Sequence, residues 1–275
     1  MAAIASVAHV RENRTNSWRS LRPYVVPITS VVVFALIYEF AISGVLVSET
    51  YLPGIPSILN ALVGILLGPY LWSALGSTIG IAFGGFLIGG GLGIVLGLVS
   101  GRNLYIYRAL RFTVEFLRST PAVAMIPLVV LMLGPTDNAR IFLVAFTVFP
   151  PLYIQAVYGV QDTNPVAIET AQSYRLGRWG TLGRVVLPSA GGYLATAIRI
   201  FIVISVLVSV STELILGGGS GVGSMLRSYS QVGNYPAMYA MVLIIGALGM
   251  LLVFAMNWIE RIVLFWHPSH REDVS

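Results

Sequence analysis

The sequence predicts an all-α protein that crosses a membrane several times. Of its 275 residues 56% are hydrophobic and only 10% are charged, and the mean hydropathy is +0.84. A soluble domain carries roughly 25% charged residues. Uncharged apolar runs recur at the length of a bilayer-spanning helix, about 20 residues. These observations exclude a soluble globular domain, a disordered chain and a fibrous protein.

Six apolar runs predict six transmembrane helices within residues 23–265. They cover residues 24–47, 75–99, 121–134, 141–160, 192–216 and 238–265. Only Glu39 interrupts the first run, and the start of the second is open because residues 50–101 carry no charge. The third run is short for a full crossing, and a backward extension through residues 112–117 would lengthen it.

The arginines orient this arrangement. All 16 basic residues are Arg, and 14 of them fall on one side of the six helices, with Arg140 and Arg227 on the other. Because basic residues concentrate in cytoplasmic loops, both termini are expected in the cytoplasm. Residues 1–22 then form a cytoplasmic N-terminal tail rather than a secretory signal, and residues 266–275 form a cytoplasmic C-terminal tail.

Residue types that the chain lacks exclude several kinds of chemistry. There is no Cys and no Lys, so neither a thiolate metal site nor the lysine of a nucleotide-binding P-loop is available. His9, His267 and His270 all lie in the tails, which leaves no imidazole in the membrane. We therefore expect no catalytic residue, cofactor or metal site in this chain, and few groups for an intramembrane enzyme. The net charge of +5 is too small and too dispersed to indicate nucleic-acid binding.

The second predicted span carries two rows of glycines spaced by four residues. One row is Gly76, Gly80 and Gly84, and the other is Gly85, Gly89, Gly93 and Gly97. Small residues at this spacing let neighbouring helices approach closely. The rows serve either tight packing within one subunit or a surface that slides or hinges.

Residues 161–191, here called the cytoplasmic knob, predict a small helix–turn–helix. Asn164-Pro165 is typical of an N-cap followed by proline at the first helical position, which predicts a helix over residues 165–174. Gly177 is expected to break it, and Leu187-Pro188 to stop a second piece over residues 178–186. One face of the first helix would consist of Val166, Ala167, Thr170, Ala171 and Tyr174. An amphipathic knob of this kind fits a groove on a partner protein.

Within the knob, residues 169–188 resemble the EAA loop of bacterial ABC importer permeases. Glu169, Ala171 and Leu187-Pro188 match the family's pattern at its spacing. Thr170 replaces the first Ala of the pattern, and Arg175 stands where its Gly is expected, with Gly177 two residues later. Residues 116–121 with 126–127, and residues 211–214 with 219–223, are similar to the third and fifth spans of the nitrate, sulfonate and taurine branch.

The resemblance implies a type I ABC importer in the bacterial cytoplasmic membrane, with this multi-pass chain as its membrane-spanning, non-enzymatic subunit. Two copies would form the path for a small anionic or polar organic solute. Two cytoplasmic ATPase subunits would hold ATP and Mg²⁺, and an extracytoplasmic binding protein would deliver the solute. The resemblance places ten residues against the ATPase: Pro165, Val166, Glu169, Thr170, Ala171, Tyr174, Arg175, Gly177, Leu187 and Pro188.

Polar residues at the far end of the fifth span are candidates for the translocation path. They are Ser209, Ser211, Thr212 and Glu213. An ionisable group inside a span is by default a functional hypothesis, although hydroxyls in spans also form interhelical hydrogen bonds. The glycine-rich loop 217–221 that follows is expected to be flexible and to act as a re-entrant or gating loop.

Four other residues have open interpretations. Trp179 either anchors the ATPase or lies among lipid headgroups. Glu39 either pairs with an arginine of another span or faces a watery cavity. Glu115 is expected to pair with an arginine one helical turn away. Arg199 is expected to snorkel at the cytoplasmic end of the fifth span.

An ion-coupled secondary transporter is the alternative function. Such a protein would use intramembrane carboxylates and often contains inverted repeats. The sequence shows no such repeat, and the cytoplasmic knob would have no role in it.

Overall fold

The computed structural model describes residues 29–30, 33, 36–40 and 51–263, and every regular element in these ranges is helical. Within residues 51–263 the α-helices are α1 Ile55–Leu66, α2 Tyr70–Arg102, α3 Leu104–Ser119, α4 Ile126–Leu133, α5 Asp137–Gln161, α6 Pro165–Ser173, α7 Arg178–Thr181, α8 Leu187–Leu216, α9 Val222–Gln231 and α10 Tyr235–Val263. A 3₁₀ turn, Ala122–Met125, precedes α4, and a π turn, Leu182–Val186, joins α7 to α8. The all-α prediction is confirmed for these residues.

The chain divides into two compact units, residues 1–61 and 62–275. In the first unit, a Glu39 carboxylate oxygen accepts a hydrogen bond from the Ile55 amide at 3.3 Å. An acidic group at this position interacts favourably with the N-terminal end of a helix dipole. Glu39 therefore caps α1, an arrangement that neither interpretation of this residue anticipated. The predicted tails, and most of the first predicted span, lie outside the described residues.

In the second unit, four helical stretches are long and apolar enough to cross a membrane. They are α2, α5, α10 and the continuous stretch Arg178–Leu216 that contains α8. The helices α3 and α4 form a bent pair that counts as a fifth crossing if taken together. The predicted second, fourth, fifth and sixth spans are thus found as helices, within the limits of the described residues.

The third predicted span differs from expectation. Instead of one helix extended backwards, α3 and the 3₁₀–α4 segment meet at an angle of 88°. Thr120 is extended, with φ −86° and ψ 118°. A proline disfavours helical geometry in the residue before it and has no amide hydrogen of its own. Pro121 therefore breaks the helix at Thr120.

The helix α5 is central, and one glycine row of α2 packs directly on it. A Cβ atom on Gly89 would lie 2.6 Å from the Ala145 Cα, and one on Gly93 would lie 2.6 Å from the Phe149 carbonyl oxygen. In contrast, a Cβ on Gly76 would meet no neighbouring heavy atom within 4 Å. The row from Gly85 to Gly97 thus serves close packing within one subunit, as the first interpretation held.

The knob begins as predicted but turns differently. Asn164 accepts a hydrogen bond from the Val166 amide at 2.9 Å, and Pro165 opens α6. The helix ends in a Schellman motif, in which the Leu176 amide donates to the Ala171 carbonyl at 3.0 Å. Arg175 occupies its left-handed position with φ 54°. The prediction that Gly177 breaks the helix is therefore wrong, because Arg175 makes the turn two residues earlier.

Pro188 does not stop the second piece of the knob. The Leu187 amide donates to the Leu182 carbonyl five residues back, in the π turn. The chain has thus already left the i→i+4 hydrogen-bond pattern when it reaches Pro188, which stands in the first turn of α8. Proline is tolerated in a first helical turn because the amide there needs no partner within the helix. The predicted stop is wrong for this reason.

Arg175→Gly is expected to stabilise the protein by about 1 kcal/mol, because a left-handed conformation costs roughly that much at a residue with a Cβ. The measurement is the melting temperature of the purified chain, and we expect it to rise by a few degrees. Arg175→Ala removes the same charge but keeps the Cβ, so it serves as the matched control and should give no gain. Equal melting temperatures for the two variants would contradict the assignment of strain to this backbone position.

Candidate functional site

A cavity of 620 Å³ lies where the bent α3–α4 pair meets α5 and α8. Its polar lining consists of Arg118, Thr120, Thr147, Gln155 and Tyr158, and apolar residues such as Phe146, Ile154 and Phe201 supply the rest. Ligand sites of small molecules have this makeup, with a few placed polar groups on a mainly apolar wall. The cavity is therefore the candidate solute site.

Prolines shape this cavity on two sides. Pro121 produces the break between α3 and α4, and Pro150 and Pro151 lie inside α5. Because proline has no amide hydrogen, the carbonyls of Phe146 and Thr147 lose their usual donors from the next helical turn. Interrupted helices in the middle of a membrane protein are tolerated where they line a cavity.

The cavity carries one charge. Arg118 is the only charged residue of its lining, and no lining residue that the structure describes is a carboxylate. The predicted pairing of Glu115 is confirmed, since Arg118 lies 3.7 Å from it and both side chains are about 57% exposed. Such an exposed pair is weak, so Arg118 retains much of its attraction for an anion.

The predicted path residues at the end of α8 lie elsewhere. Glu213 is fully buried, and it accepts hydrogen bonds from the Thr78 hydroxyl and the Gly223 amide, both at 2.9 Å. Ser209 donates to Glu213 at 3.4 Å. We call Thr78, Ser209, Glu213 and Gly223 the α2–α8 latch. It ties α8 to α2 and to the start of α9.

The two remaining path candidates bond within their own helix. Ser211 donates to the Leu207 carbonyl at 2.8 Å, and Thr212 donates to the Ser209 carbonyl at 2.8 Å. None of the four predicted path residues contributes to the lining of the cavity.

Two arginines bind the chain where α8 ends and the glycine-rich loop 217–221 begins. Arg140 is 1% exposed, pairs with Asp137 and donates to the Gly217 carbonyl at 2.7 Å. Arg227 donates to the Ile215 carbonyl at 2.7 Å. Cations are favourable at the carbonyl end of a helix, here α8. These two arginines therefore fix the end of α8 and the first residue of the loop.

The sequence offered one signal for this arrangement. Arg140 and Arg227 are the two arginines on the sparsely charged side, which marks them as residues with a specific partner. Thr78 had no such signal, because its partners Glu213 and Val222 are 135 and 144 residues away in the chain.

The knob residues divide into exposed and buried sets. Val166 is 65% exposed and Tyr174 is 79% exposed, whereas Ala171 is 3% exposed. The predicted common face is therefore wrong, because Ala171 packs inside this chain. The other predicted coupling residues are exposed: Pro165, Glu169, Thr170, Arg175, Gly177, Leu187 and Pro188. Trp179, which is 82% exposed, lies beyond them on α7.

Arg199 makes a contact that the sequence did not indicate. Its guanidinium lies 3.0 Å from a carboxylate oxygen of Glu260 and donates to the Asn257 side chain at 3.3 Å. This pair joins α8 to α10, and the Arg199 side chain is 37% exposed.

Comparison with known proteins gives four consistent likenesses. Residues 89–264 match the family described as binding-protein-dependent transport system inner membrane component. A putative aliphatic sulfonates transport permease of Bacillus subtilis is 30% identical over 82% of this chain and 81% of its own length. A bicarbonate transport system permease of Synechococcus elongatus is 28% identical over 92% and 95% of the two chains. A structure of a methionine ABC transporter in inward-facing conformations is 25% identical, covers 75% of this chain and 97% of its own, and has a TM-score of 0.57.

Proposed function

Because the chain belongs to the family of binding-protein-dependent transport system inner membrane components, in the branch with sulfonate, taurine and nitrate permeases, we propose that it forms the path for a small anionic or polar organic solute in an ATP-driven importer. It spans the bacterial cytoplasmic membrane six times, with both termini in the cytoplasm. An extracytoplasmic binding protein delivers the solute.

The 620 Å³ cavity carries this proposal. It is bounded by the break between α3 and α4 and by the prolines inside α5, and broken helices in transporters typically mark the solute site near the bilayer midplane. Arg118 supplies attraction for an anion, and Gln155 and Tyr158 supply hydrogen-bond donors for oxygen atoms. No lining residue that the structure describes is a carboxylate that would repel a negative charge. A sulfonate or carboxylate of modest size fits this chemistry.

The proposed assembly has two copies of this chain, two ATPase subunits and one binding protein. ATP and Mg²⁺ are held in the ATPase, since this chain has no Lys for a P-loop. The α2 glycines Gly76 and Gly80 leave open surface on which a second copy can approach closely. On the cytoplasmic side, Val166 and Tyr174 expose apolar surface next to Glu169, and we assign this surface to the ATPase.

Reconstitution tests the proposed function. In proteoliposomes that contain the chain, its ATPase and its binding protein, uptake of a labelled alkanesulfonate should depend on ATP. Gln155→Leu should lower uptake about ten-fold, which corresponds to one lost hydrogen bond. Met132→Leu, at a site 74% exposed and outside the cavity lining, is the control and should transport normally. Uptake by the Gln155→Leu variant at the wild-type rate would show that the cavity is not part of the translocation path.

Tyr174→Ala should weaken the affinity of the chain for its ATPase about thirty-fold. The reason is that truncation of a central aromatic anchor costs about 2 kcal/mol or more. The measurement is the affinity between the purified chain and its ATPase. Tyr70→Ala is the control, because Tyr70 is about as exposed as Tyr174 and is the first residue of α2, away from the knob. This variant should leave the affinity for the ATPase unchanged. An unchanged affinity for the Tyr174 variant would place the ATPase on another surface.

A further inference from the structure

A second cavity, of 600 Å³, lies at the end of the helix bundle where α2 ends and α7 begins. Its lining combines apolar residues with polar ones: Leu98, Val99, Leu182, Arg102, Asn103, Arg178 and Trp179. The Arg102 guanidinium donates to the Arg178 carbonyl at 3.2 Å, which ties the Arg102 side chain to the backbone of Arg178. The cavity is thus lined by both apolar and cationic side chains, and Arg102 and Arg178 are here called its cationic wall.

The pairing of the two guanidinium groups is the second feature of this cavity. Neither forms an ion pair with any residue that the structure describes. The nearby Asn103 side-chain oxygen is used by the Tyr105 and Ile106 amides, where it caps α3. Two guanidinium groups that line one cavity are well suited to the oxygens of a phosphate.

An apolar track leads along α2 to this cavity. Leu92, Val95, Leu96 and Val99 are all exposed, and their spacing places them on one face of the helix. Arg102 follows Val99 by three residues, so the track ends at the cationic wall. In a membrane-spanning helix such a face contacts acyl chains.

Trp179 stands at the rim of the cavity and is 82% exposed. Tryptophan concentrates at the level of lipid headgroups, because its ring is apolar and its indole N–H is polar. We propose that this cavity binds an anionic phospholipid, with its phosphate on Arg102 and Arg178 and one acyl chain along the α2 track. The inference rests on the membrane-spanning function proposed above, and it assigns Trp179 to the lipid and not to the ATPase.

Native mass spectrometry of the full purified chain, titrated with phosphatidylglycerol, tests this proposal. Arg102→Gln and Arg178→Gln should each weaken lipid binding about five-fold, and the double variant about 25-fold, since one basic residue near a membrane surface contributes about that much. Arg184→Gln lies in the adjoining π turn, outside the cavity lining, and is the matched control. Replacing both arginines with lysine keeps the charge and should retain binding within a few-fold, which guards against misfolded variants.

Three results would overturn the proposal: equal binding of phosphatidylcholine, phosphatidylglycerol binding unchanged in the double Gln variant, or displacement of the lipid by millimolar inorganic phosphate. The last would identify a free-phosphate site. ATP-driven uptake by the wild-type complex in the same lipid reports on the proposed function separately. A complex that transports solute yet retains no anionic lipid overturns the lipid site alone.

Discussion

Gly89→Ala should lower the melting temperature of the purified chain by about 6–12 °C. The added Cβ would lie 2.6 Å from the Cα of Ala145, a backbone atom of α5 that cannot rotate away. The helices α2 and α5 must then separate along their whole contact, and overpacking of this kind costs about 3 kcal/mol. A shift of 2–4 °C per kcal/mol is typical for a chain of this size.

Gly91→Ala is the matched control for this prediction. It makes the same chemical change two residues along the same helix, where an added Cβ meets no neighbouring heavy atom within 4 Å. Since glycine weakens a helix by 0.5–1 kcal/mol relative to alanine, this variant should be as stable as the wild type or slightly more so. Equal loss of stability in both variants would show that the α2–α5 contact does not explain the glycine row.

Glu213→Ala should destabilise the protein by about 3 kcal/mol or more and release the loop 217–221. Its removal leaves the Thr78 hydroxyl and the Gly223 amide buried without their acceptor, and each unsatisfied group costs about 1–3 kcal/mol. The measurements are the melting temperature and the rate of proteolytic cleavage within the loop. Both should change together, because the α2–α8 latch holds the chain on either side of it.

Ser211→Ala is the control for the latch, because the Ser211 hydroxyl bonds only to its own helix at the Leu207 carbonyl. We expect its effect to stay within about 0.5 kcal/mol. Glu213→Gln should be intermediate, since the amide keeps one acceptor oxygen but presents donors on its other side. A Glu213→Ala variant as stable and as resistant to protease as Ser211→Ala would contradict the latch.

Local signals in the sequence predicted much of this fold. Apolar runs located α2, α5, α8 and α10, and Asn164-Pro165 located the start of α6. These features depend on residues within a few helical turns of each other, so a local sequence pattern is enough to predict them. The same reasoning predicted that the helix breaks at Gly177, because glycine is the usual residue at such a turn. The Schellman hydrogen bonds instead place Arg175 in the left-handed position.

Contacts between distant segments were beyond such reasoning. Arg140 meets the Gly217 carbonyl 77 residues away, and Thr78 meets Glu213 across 135 residues. The cavity likewise requires the bend at Pro121 and the prolines of α5 to face each other. The Pro150-Pro151 pair inside an apolar span was the available signal for it.

Accessibility of the cavity during the ATP cycle tests the central claim most directly. The chain has no native cysteine, so Gln155→Cys introduces a single thiol into the cavity. In the complex with its ATPase and binding protein, a membrane-impermeant thiol reagent on the cytoplasmic side should label this cysteine at rest. ATP with vanadate should suppress the labelling, and Met132→Cys, outside the lining, should not respond to nucleotide. Two results would contradict an ATP-driven path through this cavity. One is a Gln155→Cys variant that is labelled in neither state, and the other is labelling that changes with an ion gradient instead of with ATP.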